Sequence, residues 1–148
     1  AVFLQREELP SGCVVKVTFP DKRRQLRIEP SAREPVLVMY EAGGNQVDVV
    51  ANISTGGIGF YTNTDDSVLA FGAQMPVSLV LPKEDPIFCT ATVRWLWPVT
   101  DKAGARPSSP YRFYCGMELK PDAAGDADRI AQYIKYRERE IVRTCLQT

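Results

Sequence analysis

The chain contains no histidine. That removes Ser-His-Asp and Cys-His nucleophilic sites, His-ligated metals and any imidazole acid or base near neutral pH. Its four cysteines, Cys13, Cys89, Cys115 and Cys145, include no CxxC pair. A zinc site or redox motif is therefore not signalled, and buried, reduced thiols are expected. No isolated carboxylate pair stands in an apolar setting, so the chain reads as a non-enzyme with no catalytic residue, metal or cofactor. No apolar run is long enough for a transmembrane helix, and "AVFLQREELP" lacks the charged-then-apolar layout of a signal peptide. A soluble, cytoplasmic protein is expected. Net charge is absent too, with 18 basic against 18 acidic residues, which argues against wholesale binding to DNA and makes any electrostatic function a local one.

What is present suits one domain, since 148 residues can enclose one real core but not two. Strand-like runs follow one another closely: "GCVVKVTFP", then "EPVLVMYEAGGNQVDVVANIS" as two strands about an "AGGN" turn, then "GGIGFYT", "MPVSLVLP", "IFCTATVRWLW" and "PYRFYCGMEL". A polar loop from Pro98 to Pro110 is the longest irregular stretch. With no helix between the strands, an antiparallel barrel or sandwich is expected. The period changes at the end. In "GDADRIAQYIKYREREIVRTC", Ile130, Tyr133, Ile134, Ile141 and Val142 follow helical spacing, with Asp126 as N-cap and Arg143 in the last turn. This amphipathic helix needs a partner, either the open side of the barrel or the same helix of a second subunit in a homodimer.

Two stretches stand out. "DKRRQLRIEP" places Lys22, Arg23, Arg24 and Arg27 within six positions. Pro20 and Pro30 flank it and no apolar stripe develops, so it reads as a loop, able to bring Arg23 and Arg27 around one ligand from different sides. Guanidinium suits that task, because its fork matches phosphate oxygens and its face stacks on a base. The second stretch is "NISTGGIGF". Asn52 and Ser54, two apart on a strand, share a face, and Gly56 and Gly57 allow a tight turn with accessible backbone N–H groups. Each piece alone is common.

Together, R23-x-x-x-R27 followed by N52-x-S54-x-x-G57 and the closing "YRFYCGMEL" resemble the PilZ domain family, a bacterial receptor module for cyclic di-GMP. "RRQLRI", "ISTGGIGF" and "ATVRW" are similar to the family's usual text, and the resemblance covers about residues 22 to 120. It implies a mainly β protein, a six-stranded antiparallel barrel with a C-terminal α-helix, divided as 21–120 barrel and 121–148 helix. It also implies that Arg23 and Arg27 grip phosphate and guanine, and that Asn52, Ser54 and Gly57 contact the base. Asn stands where the family more often has Asp, exchanging a pure acceptor for an amide that both donates and accepts. Residues 1–20, which begin without Met, are expected as a strand and linker, a remnant of an upstream regulatory domain: "CVVKVTF" is similar to the end of that domain in flagellar-brake-type members.

Four further residues fall in a second rank. Lys22 and Arg24 read as electrostatic support, and Lys22 also suits contact with a second bound ligand. Gly56 reads as a backbone donor. Trp95 alternates with Val93 and Trp97, which argues for the core, while some family members place a guanine-stacking aromatic near this point. Residues 16–33 hold Lys16, Lys22, Arg23, Arg24, Arg27 and Arg33 against Asp21 and Glu29, so repulsion is expected to hold the segment open until a dianionic ligand draws it onto the barrel, a switch that reorients whatever precedes it and acts on a protein target. Two other readings remain. One is a PilZ domain that works by protein contacts alone. The other is a small barrel binding single-stranded RNA, weakened because the aromatics stand apart from the basic stretch.

Overall fold

The computed structural model describes residues 2–8, 14–20, 27–99 and 110–147. Gly43 and Gly44, at φ 72° and 138°, turn the chain between β3 (Leu37–Glu41) and β4 (Asn45–Ser54). Side chains rarely adopt such backbone angles, so the "AGGN" signal is obeyed literally. β5 (Gly57–Thr62), β6 (Gln74–Val80), β7 (Ile87–Pro98) and β8 (Phe113–Pro121) follow. Every pairing is antiparallel, and the order β3-β4-β5-β8-β7-β6 closes on itself as a six-stranded barrel. Closure removes the exposed edges an open sheet would leave. Before the barrel, β1 (Val2–Glu8) pairs with β2 (Val14–Pro20) from Val2↔Pro20 to Glu8↔Val14. The sequence indicated only the second of these strands.

Period-two alternation fills the interior. Along β7, Ile87, Cys89, Ala91 and Val93 are all buried while Phe88, Thr90 and Arg94 face outward. One polar knot is also buried: the Tyr40 hydroxyl donates to Asp48 at 2.6 Å and meets Thr62 and Thr64 at 3.1 and 3.0 Å. Gln46 Nε2 donates to the other Asp48 oxygen at 3.2 Å. A buried carboxylate is tolerated because these donors replace water.

The helix α1 (Asp126–Gln147) packs against β4 and β8. Ile130, Tyr133 and Ile134 join the barrel core, each buried aliphatic side chain stabilising by about 1.5–3 kcal/mol. The barrel is thus the partner of the stripe's first half. Further along, Ile141 packs on the core and Cys145 is buried, but Val142 is 40% exposed: the stripe continues through 141 and 145 and passes Val142 by. Nor is Asp126 the N-cap. Gly125, at φ 91°, holds that place and its carbonyl accepts from Asp128 and Arg129, while Asp126 sits in the first turn and pairs with Arg129 at 3.1 Å. The helix continues to Gln147, leaving Arg143 short of the last turn, which has no basic residue. Two arginines fasten it: Arg129 to Glu84 at 3.1 Å and to the Asp85 carbonyl, and Arg137 to the Glu29 carbonyl at 2.9 Å.

Candidate functional site

Arg27 is fixed by its neighbour. Ile28 is buried, and it exchanges two backbone hydrogen bonds of 3.0 and 2.9 Å with Ile53 of β4. This isolated bridge sets Arg27 alongside Asn52 and Ser54. With Ile28 and Ile53 turned inward, their neighbours Arg27, Asn52 and Ser54 lie toward the outer surface. Arg27 and the Asn52–Gly57 stretch thus meet through one pair of isoleucines that belongs to neither motif. Lys22, Arg23 and Arg24 lie outside the described residues.

A bulge aims the second motif. Val50 pairs with Phe60 and Asn52 with Gly59, so Ala51 is the extra residue. Without it Val50, Asn52 and Ser54 would share one face; with it Val50 stays in the core and Asn52 and Ser54 turn away from it. Ser54 is itself buried and belongs to the turn: its hydroxyl accepts from Gly56 N at 3.3 Å and donates to Gly57 O at 3.4 Å. Gly56 N, read from the sequence as an accessible donor, points at Ser54. Gly57 is not in a left-handed conformation. Its lack of a side chain is required by close strand approach, because a Cβ there would lie 2.5 Å from the Met117 carbonyl oxygen.

A second bulge corrects the reading of Trp95 as core. Val93 pairs with Met117 and Trp95 with Gly116, leaving Arg94 unpaired, so the alternation inverts and Trp95 and Trp97 turn outward. Trp97 is 58% exposed and stacks on Trp95 with centroids 5.6 Å apart. The Trp95 ring covers Gly116, where any side chain would collide with it. The Arg27 guanidinium carbon lies 5.7 Å from the Trp95 centroid, a cation–π contact. Between them opens a cleft of about 350 Å³ lined by Arg27, Ser54, Gly56, Gly57, Trp95 and Met117, with Arg94, Glu118 and Lys120 among its other walls. Arg94 neutralises Glu118, so Arg27 and Lys120 leave the cleft positive. Asn52 lies beside the cleft rather than in its lining.

Tyr114 was not singled out from the sequence. Its hydroxyl meets Asn52 Nδ2 at 2.5 Å across 62 residues of chain, and it sits over Gly59, where a Cβ would strike it. Burial pushes its phenol upward from the ordinary range, an effect reduced by the Asn52 hydrogen bond and by the positive charge of Arg27. Tyr61 packs edge-on against it at 4.9 Å and stacks on Tyr111 at 6.2 Å. Aromatics therefore stand close to Arg27, the described end of the basic stretch, contrary to expectation. No linear pattern marks this, because the cluster joins β5, β7 and β8. Asn52 Oδ1 and Trp95 Nε1 are buried without a hydrogen-bond partner among the described residues.

Other chemistry is sparse. Among the described residues no group of His, Cys, Asp or Glu side chains could hold a metal ion, and no helix is long and apolar enough to cross a membrane. Cys89, Cys115 and Cys145 are unbridged and buried. Burial pushes the Cys89 thiol up to about 11 and the Cys115 thiol to about 12.

The model of the PilZ domain family matches residues 21–136. No curated protein sequence matches the chain. Among solved structures, the K. pneumonia MrkH–c-di-GMP complex superposes with a TM-score of 0.70 at 18% identity, over 86% of this chain and 57% of that one. The PilZ domain of YcgR from Escherichia coli with c-di-GMP gives 0.67 at 14% identity, over 86% of this chain and 100% of that one. The Bacillus subtilis inhibitor of motility, MotI/DgrA, gives 0.62 at 21% identity, over 86% of this chain and 55% of that one. At such identities the likeness is one of fold. The chain spans 57% of the MrkH complex chain and 55% of the motility inhibitor.

Proposed function

The chain belongs to the PilZ domain family, and on that premise we propose that it is a cyclic di-GMP receptor whose ligand lies across the outer surface of the barrel at Arg27. The observation that carries this reading is the joining of Arg27 to the Asn52–Gly57 turn by the Ile28–Ile53 bridge, in a positive cleft walled by an aromatic ring. In this reading Arg27 binds phosphate and guanine, held in aim by Trp95, and Arg23 supplies the second guanidinium. Trp95 offers its face to a base. Ser54 acts mainly by holding the turn, and Gly57 by letting β5 and β8 approach. Lys22 and Arg24 raise the local potential. Receptor action then follows from fixing the segment between β2 and Arg27, which changes what an upstream region presents to a protein target and so regulates a process such as motility or polysaccharide production. The receptor works in the cytoplasm, where the thiols of Cys89, Cys115 and Cys145 stay reduced.

The chain's two tryptophans are Trp95 and Trp97, so fluorescence excited selectively at tryptophan reports on this site. Cyclic di-GMP is expected to change that fluorescence saturably, and linear GMP to do so only at far higher concentration. An unchanged spectrum at saturating cyclic di-GMP would remove Trp95 from the site. A second reading, single-stranded RNA binding, gains from the aromatic surface formed by Trp95, Trp97, Tyr61, Tyr111 and Tyr114. It moves ahead if an RNA oligomer displaces cyclic di-GMP at comparable concentration.

A further inference from the structure

The barrel has one outer face with almost no charge. No lysine or arginine stands in β3, β4 or β6, and β7 has only Arg94, which belongs to the cleft beside Arg27. The outward side of a solvated antiparallel sheet is polar. Here the strand registers set Val47 beside Met39, Met39 beside Ser78 and Ser78 beside Phe88, one row across four strands. Three members of that row are apolar and exposed: Met39 at 37%, Val47 at 47% and Phe88 at 62%. Val49, next on the same face of β4, is exposed as well. Contiguous apolar exposure with charge depleted is the composition of an interface centre.

Ser78 makes the row a groove. Its small side chain is the floor between Met39 and Phe88, and a cleft of about 350 Å³ opens there. It shares no lining residue with the cleft beside Arg27. A carboxylate flanks each wall: Glu41, two residues beyond Met39 on the same face, and Asp122, whose backbone N–H donates to the Phe88 carbonyl at 2.9 Å. Both residues are exposed, and neither meets a cation among the described residues. Asp122 accepts only from the neutral Thr90 hydroxyl, at 3.2 Å. A second copy of this face would bring its own carboxylates and no cation, so charge favours a different partner. The closed barrel offers no free strand edge, which leaves side chains to hold that partner.

We propose that this groove is a docking surface for a protein segment carrying an apolar side chain flanked by lysine or arginine. The apolar group fills the space over Ser78 between Met39 and Phe88, and the cations meet Glu41 and Asp122. The inference gives the chemistry of the protein target invoked above and rests on the receptor reading in that respect alone, since docking itself needs no cyclic di-GMP.

The test uses the full chain and two short fluorescent peptides, one alternating leucine with lysine and one alternating leucine with glutamate, with binding read by anisotropy. The leucine–lysine peptide is expected to bind saturably, and the leucine–glutamate peptide about tenfold or more weakly. Phe88→Ser removes one wall and is expected to weaken the first peptide about tenfold. Glu41→Lys is expected to weaken the first peptide and strengthen the second. Both substitutions fall on exposed side chains outside the cleft beside Arg27, so thermal unfolding and cyclic di-GMP binding are expected to stay as in the unaltered chain. The proposal is overturned if neither peptide binds, if the two bind equally, or if Phe88→Ser leaves the first peptide unchanged. It is equally overturned if sedimentation shows a dimer that Phe88→Ser dissolves, for then a second copy covers the face. A chain that shows the expected peptide pattern and binds no cyclic di-GMP keeps the docking surface and loses the receptor reading.

Discussion

Arg27 has two neighbours that do different work. The backbone of Ile28 fixes where it starts, and the Trp95 ring, 5.7 Å away, fixes where its charge ends. Since the side chain is only half-buried, removing it costs the fold little. Arg27→Ala is expected to lower cyclic di-GMP affinity by about 1.5–3 kcal/mol, the range for hydrogen bonds to charged groups, while the melting temperature moves by less than a degree or two. Cyclic di-GMP titration and thermal scans of the same variant check both halves. Cysteine chemistry gives a second expectation at this scale. Burial raises Cys89 to about 11 and Cys115 to about 12, so the folded chain keeps protons that the unfolded chain releases near the ordinary thiol range. Stability contributed this way is complete below that range and is lost as pH rises through it toward 11–12. A thiol reagent at pH 8 is accordingly expected to label these two residues slowly in the native chain and rapidly in denaturant. Fast native labelling at either one would contradict their burial.

At the scale of elements, two bulges decide which residues meet a ligand. The strands themselves were legible: β-branched runs, the "AGGN" turn and the closing change of period placed β2 to β8 and α1. Both motifs were also legible, because their spacing along the chain is fixed. What strict alternation could not supply was the inversion at Ala51, which turns Asn52 away from the core, or at Arg94, which turns Trp95 out of the barrel. A single inserted residue leaves no compositional trace. Tyr114 was missed for a related reason, since its partner Asn52 lies 62 residues away and only the β4–β5–β8 pairing brings them together. The buried Asp48 was equally unmarked, as its donors come from Tyr40 on β3 and Gln46 on its own strand. Here the physics makes a firm expectation. Tyr40→Phe deletes the 2.6 Å donor to Asp48 and leaves a buried carboxylate under-satisfied, which costs about 1–3 kcal/mol. Urea unfolding is expected to show a lower midpoint at unchanged slope, with the cyclic di-GMP affinity intact because the knot is separate from the cleft.

For the molecule as a whole, the barrel is a rigid support and the segment from Asp21 to Arg27 is the part a ligand would act on. That segment joins the β1–β2 hairpin to the barrel, and it carries Lys22, Arg23, Arg24 and Arg27, each a trypsin cleavage site. If Arg23 and Arg27 both close on one ligand, cyclic di-GMP is expected to slow cleavage at these four positions by about tenfold or more, with cleavage elsewhere unchanged. Mass spectrometry of timed digests checks this, and equal rates with and without ligand would leave the barrel a receptor without a switch. Arg137, bonded to the Glu29 carbonyl two residues beyond Arg27, extends the same path to α1. Any such switch presupposes the step proposed above, binding of cyclic di-GMP to this surface. Its most direct test is a calorimetric titration of cyclic di-GMP into the chain at moderate salt. Saturable binding at micromolar concentration or tighter is expected, nearly abolished in the Arg23→Ala, Arg27→Ala double variant; no heat at any accessible ligand concentration, or equal binding by that variant, would refute the receptor reading.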